Sequence, residues 1–387
     1  MLRGIPMIAL MFAVTPSAAQ VREPARNESQ TAPQSLAAML AAGWSALATG
    51  QPDAAVRSAD AILTQRPWDR AALLLKLSAL AAISPDRALD AYDQAIALKR
   101  GDDPALLEPI AAATLQQIAA SNDPAMKRRA LQVLAESRIP GAREALDKLP
   151  NTTDNRIAAD AAAAKSGDSA ASERLMVQAA APAPQPAALA DALASLGPAG
   201  EAGLLLLLGN QNPQARASAA KALGTMKSES ARQKLQAATQ DADPIVRTTA
   251  MISLAKLGDN DALTAVDHML ASPVPDVQIA ASEVWEGRPG PWMAAVQPLL
   301  DNPDGLVRLH AARAIAAVSP DDARRTLAQG LSDPNPAVRS SAAQLLTGII
   351  ATNPNVADIA ALRERLRDRD PAVRLPAASA LLKLARG

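Results

Sequence analysis

The C-terminal half of the chain repeats one pattern of apolar and polar positions about every thirty-one residues. Each copy has an arginine, once replaced by glutamine, preceded by Val or Ala and followed by Ala three residues later and by a large apolar residue seven residues later. These apolar positions follow one another in steps of four, which places them on one face of a helix. The pattern predicts six amphipathic helices, whose arginine-type positions are Arg216, Arg247, Gln278, Arg308, Arg339 and Arg374.

A second apolar helix is predicted between consecutive copies, for example over 202–208 and 262–270. Each repeat is then a pair of antiparallel helices, and a fixed period of this length indicates an array of stacked pairs. Alanine is the commonest residue and aromatic residues make up only 2% of the chain. Because alanine and leucine favour helices over strands, we expect an all-α protein, a right-handed α-solenoid of antiparallel helix pairs.

Around the repeated arginine the chain resembles HEAT repeats, in particular the short type named after the phycobilisome lyases. That type has the pattern D-x-x-P-x-V-R-x-x-A-x-x-x-L, and its core residues stand in segments 243–254 and 370–381. The resemblance covers residues 200–387, which we predict to be a HEAT-repeat domain. It implies an extended surface that binds a protein or peptide.

The N-terminal third has a different period, of thirty-three residues. Ala55 and Ala88 are one period apart, as are Ala59 and Tyr92. These pairs resemble the small and aromatic positions of tetratricopeptide (TPR) repeats, with two departures: Ile62 stands where alanine is usual, and Arg100 where proline is usual. We therefore predict TPR-like repeats over 35–100.

Residues 101–199 connect the two repeat types. Apolar patterns over 106–120 and 125–136 predict further helices, whereas 150–187 is rich in alanine and ends in a proline-rich stretch. That stretch indicates either a linker or degenerate repeats, and the sequence leaves both open.

The first residues have the pattern of a secretory signal peptide. One positive charge precedes a short apolar run, and small residues then allow cleavage after Ala19. We predict a signal peptide over 1–19, a disordered leader over 20–34, and a periplasmic or secreted mature protein. The alternative is an uncleaved N-terminal anchor. No later run reaches the ~18 apolar residues that a spanning helix needs.

Composition limits the chemistry that the chain can carry. It has no cysteine and two histidines, and its 39 basic residues balance its 39 acidic ones. We therefore expect no disulfide, no catalytic or metal site, no cofactor and no nucleic-acid binding. The HEAT-repeat deoxyhypusine hydroxylases use His-Glu pairs, but neither His268 nor His310 is followed by Glu.

The repeated arginines allow two interpretations. They form either a basic stripe that binds an anionic partner or a structural ladder in which each arginine pairs with a turn aspartate of its own or the next repeat. We favour the ladder, because Asp or Asn usually accompanies the arginine. Its predicted members are Arg216, Arg247, Arg308, Arg339, Arg374, Asp243, Asp333 and Asp370.

Four other residues are candidates for partner binding, because Trp and Arg are enriched where interfaces are strongest. Arg288 and Trp292 lie in an irregular, Gly- and Pro-rich stretch, and Arg363 and Arg367 belong to an arginine cluster. Core packing is the favoured alternative for the tryptophan, and a solvated terminal face is the favoured alternative for the cluster.

Together these features predict an exported, non-catalytic scaffold that binds a peptide or protein on the concave solenoid surface, including a role in assembling an envelope complex. The alternative is an enzyme on a HEAT scaffold, similar to a bilin lyase or a deoxyhypusine hydroxylase. The oligomeric state is left open.

Overall fold

The computed structural model describes residues 35–99, 101–149, 153–183, 185–286, 292–352 and 355–386. The predicted signal peptide and leader lie outside these residues. The described residues contain helices and no strand, which confirms the all-α prediction. The helices are α1 Leu36–Ala48, α2 Pro52–Gln65, α3 Arg70–Ile83, α4 Pro85–Lys99, α5 Pro104–Ala119, α6 Pro124–Glu136, α7 Ala142–Asp147, α8 Thr153–Lys165, α9 Ser169–Ala180, α10 Pro186–Ser195, α11 Glu201–Leu207, α12 Pro213–Thr225, α13 Arg232–Ala238, α14 Pro244–Lys256, α15 Asn260–Met269, α16 Pro275–Ser282, α17 Met293–Val296, α18 Gly305–Ile315, α19 Pro320–Gly330, α20 Pro336–Thr352, α21 Val356–Arg365 and α22 Pro371–Arg386.

Within each of two compact units, helices pack mainly on neighbours in the chain, which is consistent with an α-solenoid. Residues 150–330 form one compact unit, and residues 331–386 form a second unit with the described residues before 150. We predicted one HEAT domain over 200–387. The structure divides that segment because its last helix, α22, packs against α5 of the N-terminal part.

The alanine of the repeated pattern allows neighbouring helices to approach closely. All six copies are fully buried, with 0% exposure, at Ala219, Ala250, Ala281, Ala311, Ala342 and Ala377. Gly224 of α12 marks a close approach to α14, since a Cβ built there would lie 2.7 Å from the Cα of Ser253. A larger residue at these positions would force the helices apart.

The second helix of each repeat has a well-defined start. Proline stands at the first helical position of α12, α14, α20 and α22, where its missing N–H costs no hydrogen bond. The preceding Asn or Asp caps the helix. For example, the Oδ1 atom of Asp243 accepts a hydrogen bond from the N–H of Ile245 at 2.8 Å.

The interval that the sequence left open as linker or repeat is helical where the structure describes it. Helices α8 and α9 pack on one another, and α10 packs on α8. In the N-terminal part, the period-related residues Ala55, Ala59, Ala88 and Tyr92 are all fully buried. The TPR assignment of 35–100 itself stays a prediction.

None of the described helices has a stretch long and apolar enough to cross a membrane.

Candidate interaction surface

In four repeats the turn before the second helix is held by the repeated arginine. The Nη1 atom of Arg216 donates to the carbonyl oxygens of Asn210 and Gln211 at 2.9 and 3.0 Å. Arg247, Arg308 and Arg339 make the same pair of bonds to the two residues that precede their own helix caps. The arginine therefore closes the turn that joins the two helices of a repeat.

Arg216 and Arg339 also bind a carboxylate of the next repeat. Arg216 donates through Nε and Nη2 to both oxygens of Asp241, at 2.8 and 2.7 Å. Arg339 binds both oxygens of Asp368 in the same way, at 2.7 and 2.9 Å. These hydrogen bonds lower the pKa of both aspartates. An amide pair replaces the ion pair in the repeat with glutamine, where Asn302 donates to Gln278 at 3.1 Å.

The carboxylates in this ladder are not Asp243 and Asp370, which we predicted from the sequence. Those residues are two positions further on, and their side chains cap α14 and α22. A cap oxygen must point at the backbone N–H groups of its own helix, so it is turned away from the arginine. The residue that stands two positions before each cap has a shared role. Asp333 accepts a hydrogen bond from the N–H of its cap residue Asn335 at 2.9 Å, and Asp241 and Asp368 each accept the same bond from their own cap residue.

Arg363, a partner-binding candidate, is largely buried against its own chain. Its side chain is 12% exposed, its Nη1 lies 2.7 Å from Oδ1 of Asp102, and its guanidinium lies 5.7 Å from the centre of the Tyr92 ring. The Tyr92 hydroxyl donates to the same Asp102 oxygen at 3.0 Å and accepts from the N–H of Asp103 at 2.8 Å. Burial raises the pKa of Tyr92.

Arg367 also binds carboxylates of its own chain. Its Nη2 lies 2.7 Å from Asp90 and 2.8 Å from Asp93, both on α4. The arginine cluster thus holds α21 and the residues after it against α4. Fewer guanidinium N–H groups therefore remain available to a partner.

Trp292 is 4% exposed and stacks on Trp285, with ring centroids 5.9 Å apart and an angle of 11° between the rings. This placement favours the core-packing interpretation of the tryptophan. Arg288 lies outside the described residues.

The second helices also carry a set of charged and titratable side chains, which we call the open face: Lys221 of α12, Lys256 of α14, Glu283 just after α16, and His310 and Arg313 of α18. Lys221 is exposed, whereas the side chains of the other four are 17–31% exposed. Glu283 is at its centre. Its carboxylate lies 3.5 Å from Nζ of Lys256, 3.8 Å from Nδ1 of His310 and 3.9 Å from Nη2 of Arg313. One carboxylate thus connects side chains of three successive second helices.

His310 is a titratable group of the open face, and its surroundings shift its pKa. Its Nδ1 is buried and makes no hydrogen bond to the described residues. Burial lowers its pKa, as do Arg313 and Lys221, whereas Glu283 and Glu286 oppose the shift. The imidazole is therefore held mainly in its neutral form near pH 7. Among the described residues, no group of three or more His, Cys, Asp or Glu side chains is placed to hold a metal ion.

The sequence analysis did not single out Lys221, Lys256, Glu283 or Arg313. The signal was nevertheless present in the repeat. Counted from the repeated arginine position, Lys221, Glu283 and Arg313 stand at position five and Lys256 at position nine. These positions do not belong to the repeated apolar stripe, so polar residues there stand out from it.

The repeats can now be compared with known proteins. Residues 201–284 and 293–382 match the model of HEAT repeats. The chain contains HEAT repeats. Their phycobilisome-lyase subtype stays a prediction. A search of curated proteins finds no match.

The solved structures that match the chain include the following two. One is human deoxyhypusine hydroxylase in complex with glycerol, which is 18% identical, covers 71% of this chain and 98% of its own, and has a TM-score of 0.33. The other is an engineered protein, which is 20% identical, covers 91% of this chain and 95% of its own, and has a TM-score of 0.27.

Proposed function

We propose that this protein is an exported, non-catalytic scaffold whose HEAT repeats bind a peptide or protein through the open face. The observation that carries the proposal is the charged set around Glu283, to which three successive second helices contribute side chains. HEAT repeats commonly mediate protein interactions. Stacked repeats offer a partner the same kind of position again and again along the array.

The chemistry of the open face favours a polar, charged partner segment over an apolar helix. Lys221 is exposed and free to contact a carboxylate, whereas Lys256 and Arg313 are already near Glu283. On α14 the position equivalent to that of Lys221 is taken by Ile252, which is 6% exposed. A partner would therefore be recognised through side-chain charge, which governs specificity and association rate more than affinity.

Site-specific photo-crosslinking tests this proposal in living cells. A photoreactive amino acid replaces Lys221 on the open face or, as a matched control, Lys234, an exposed lysine on the first helix α13 of the next repeat. We expect one crosslinked product of defined mass from position 221 and none from position 234. Equal crosslinking at both positions, or none at either, would contradict the proposed surface.

Export and the lack of catalysis have tests of their own. Mass spectrometry of the mature protein should find Gln20 as its first residue, in the periplasm or the medium. An N-terminus at Met1 in the cytoplasm would contradict export. Stoichiometric metal or a bound chromophore in the purified protein would contradict the non-catalytic assignment.

A further inference from the structure

Arg247 departs from the ladder that its counterparts form. Arg216 and Arg339 hold their turns through Nη1 and bind an aspartate of the next repeat through Nε and Nη2. Arg374, in the last repeat, donates to Oε1 of Gln117 on α5 at 3.2 Å. Arg247 holds its turn through Nη1 at 2.7 and 2.9 Å. Within the described residues, however, its Nε and Nη2 atoms, which we call its free edge, bind no carboxylate.

The repeat that follows Arg247 lacks the aspartate of the ladder. That aspartate stands six residues before the arginine position of its own repeat, and here the residue is Ser272. Its Oγ still accepts a hydrogen bond from the N–H of Val274 at 3.1 Å. Asp241 makes the corresponding bond to Asp243 at 2.9 Å. A neutral serine hydroxyl cannot form the paired bonds that a carboxylate makes with a guanidinium, so the ladder is incomplete at this point.

The guanidinium of Arg247 is held in place without a ligand. Its Nη1 makes the same two bonds to the turn as the Nη1 of Arg216, and the group is planar, so the free edge is a preformed pair of donors. Arg247 is exposed, so a partner can reach it. Two parallel N–H groups match the two oxygens of a carboxylate. The free edge therefore suits a carboxylate that comes from another molecule.

Exposed apolar side chains flank the incomplete point of the ladder in the sequence. Ile245, two residues before Arg247, is 56% exposed, and Val274, two residues after Ser272, is 49% exposed. Val274 also takes the position at which other repeats have a capping Asp or Asn, and no side chain caps α16. An apolar residue is unfavourable at that position, and its exposure leaves apolar surface that a partner can cover.

We propose that Arg247 binds the carboxylate of an acidic side chain in a partner peptide, whose apolar neighbours cover Ile245 and Val274. The site is separate from the charges around Glu283. It rests on the proposed function only for the class of partner, which is a peptide. A single exposed ion pair contributes little to affinity, so a short peptide should bind with a Kd of about 1 mM.

NMR of the arginine Nε–H groups tests the site in the full chain. The probe is a short peptide with one Asp between two leucines, acetylated and amidated at its ends, and Arg247→Lys assigns the signal of Arg247. We expect a saturable shift of that signal, and none when Asn replaces the Asp of the peptide. Arg216 is the internal control, because its Nε already binds Asp241. No shift of Arg247 with the Asp peptide, or an equal shift with the Asn peptide, would overturn the proposal.

A second test supplies the missing carboxylate within the chain. Ser272→Asp should complete the ladder, raise Tm by about 2–4 °C and abolish the shift of Arg247 with the peptide. The matched control is Ala271→Asp, which adds the same charge at an exposed residue outside the ladder position and should change neither result. Crosslinking from position 221 reports on the open face independently, so failure of either surface is distinguished from failure of the other. If Ser272→Asp binds the peptide as wild type does, or Ala271→Asp abolishes binding equally, the proposal fails.

Discussion

Replacing Arg339 by leucine should destabilise the C-terminal repeats more than the loss of any surface charge. The side chain donates two hydrogen bonds to Asp368, whose own side chain is only 5% exposed, and two more to the carbonyls of the turn. Breaking a buried ion pair costs about 3–5 kcal/mol, because the remaining charge is left uncompensated. Asp368 keeps one bond from the N–H of Asp370 and has Arg365 at 4.0 Å. We therefore expect the lower end of that range, about 3 kcal/mol.

The cost should depend on pH in a definite direction. The hydrogen bonds from Arg339 lower the pKa of Asp368 in the folded state, whereas an unfolded aspartate titrates near pKa ~3.9. The ion pair therefore contributes fully above about pH 5 and loses its contribution as the pH falls through the lowered pKa. The difference between wild type and Arg339→Leu should shrink from pH 7 towards pH 3.

Urea unfolding at pH 7 and pH 3.5 measures this difference, and hydrogen exchange followed by mass spectrometry locates it. Faster exchange should appear in peptides from α20 to α22. Arg325→Leu is the control, because Arg325 is 67% exposed and its pair with Asp322 at 2.9 Å is worth about 0–1 kcal/mol. The reasoning is refuted if Arg339→Leu costs no more than Arg325→Leu, or if its cost is the same at both pH values.

Further predictions follow from the packing and the burial of polar groups. Gly224→Ala should destabilise by about 1–3 kcal/mol in a thermal melt, because its Cβ meets Ser253. Gly348→Ala, in a helix with open space around it, should instead stabilise by about 0.5–1 kcal/mol, and a loss there would contradict the comparison. Tyr92→Phe should cost about 1–3 kcal/mol in urea unfolding, since the N–H of Asp103 loses its acceptor; an unchanged midpoint would show that another group replaces the hydroxyl. His310 should titrate below pKa 6.5 by NMR, so its contribution to stability is present above about pH 6.5 and declines at lower pH; a titration midpoint above 6.5 would contradict its burial.

The repeat could be predicted from sequence because its signals are local. The buried alanines at Ala219 and Ala250 follow from steps of four residues, and the helix starts follow from proline after an Asn or Asp cap. The same locality explains the error over Asp243. Both Asp241 and Asp243 precede the helix, and only the geometry of the turn decides which one caps and which one faces the arginine of the preceding repeat.

The contact of α22 with α5 could not be predicted in this way. Nothing near Arg363 in the sequence indicates that Asp102 will be its partner, since the two are 261 positions apart. The arginine cluster therefore had the appearance of a free surface. The open face was missed for another reason: Lys256, Glu283 and Arg313 come together only when three helices stack, although each stands at a regular position of the repeat.

The central claim is that a partner binds the open face of the second helices. Its most direct test is isothermal titration of the partner captured at position 221 against wild type, a variant with Lys221→Glu and Thr225→Glu, and a control with Lys234→Glu. Lys221 and Thr225 are exposed on α12, so reversing the charge of the first and adding a negative charge at the second should leave the fold intact. We predict that the double variant raises Kd about tenfold, as expected when charge complementarity at an interface is lost, and that the control leaves Kd unchanged. An unchanged Kd for the double variant, or an equal loss in the control, would contradict the claim.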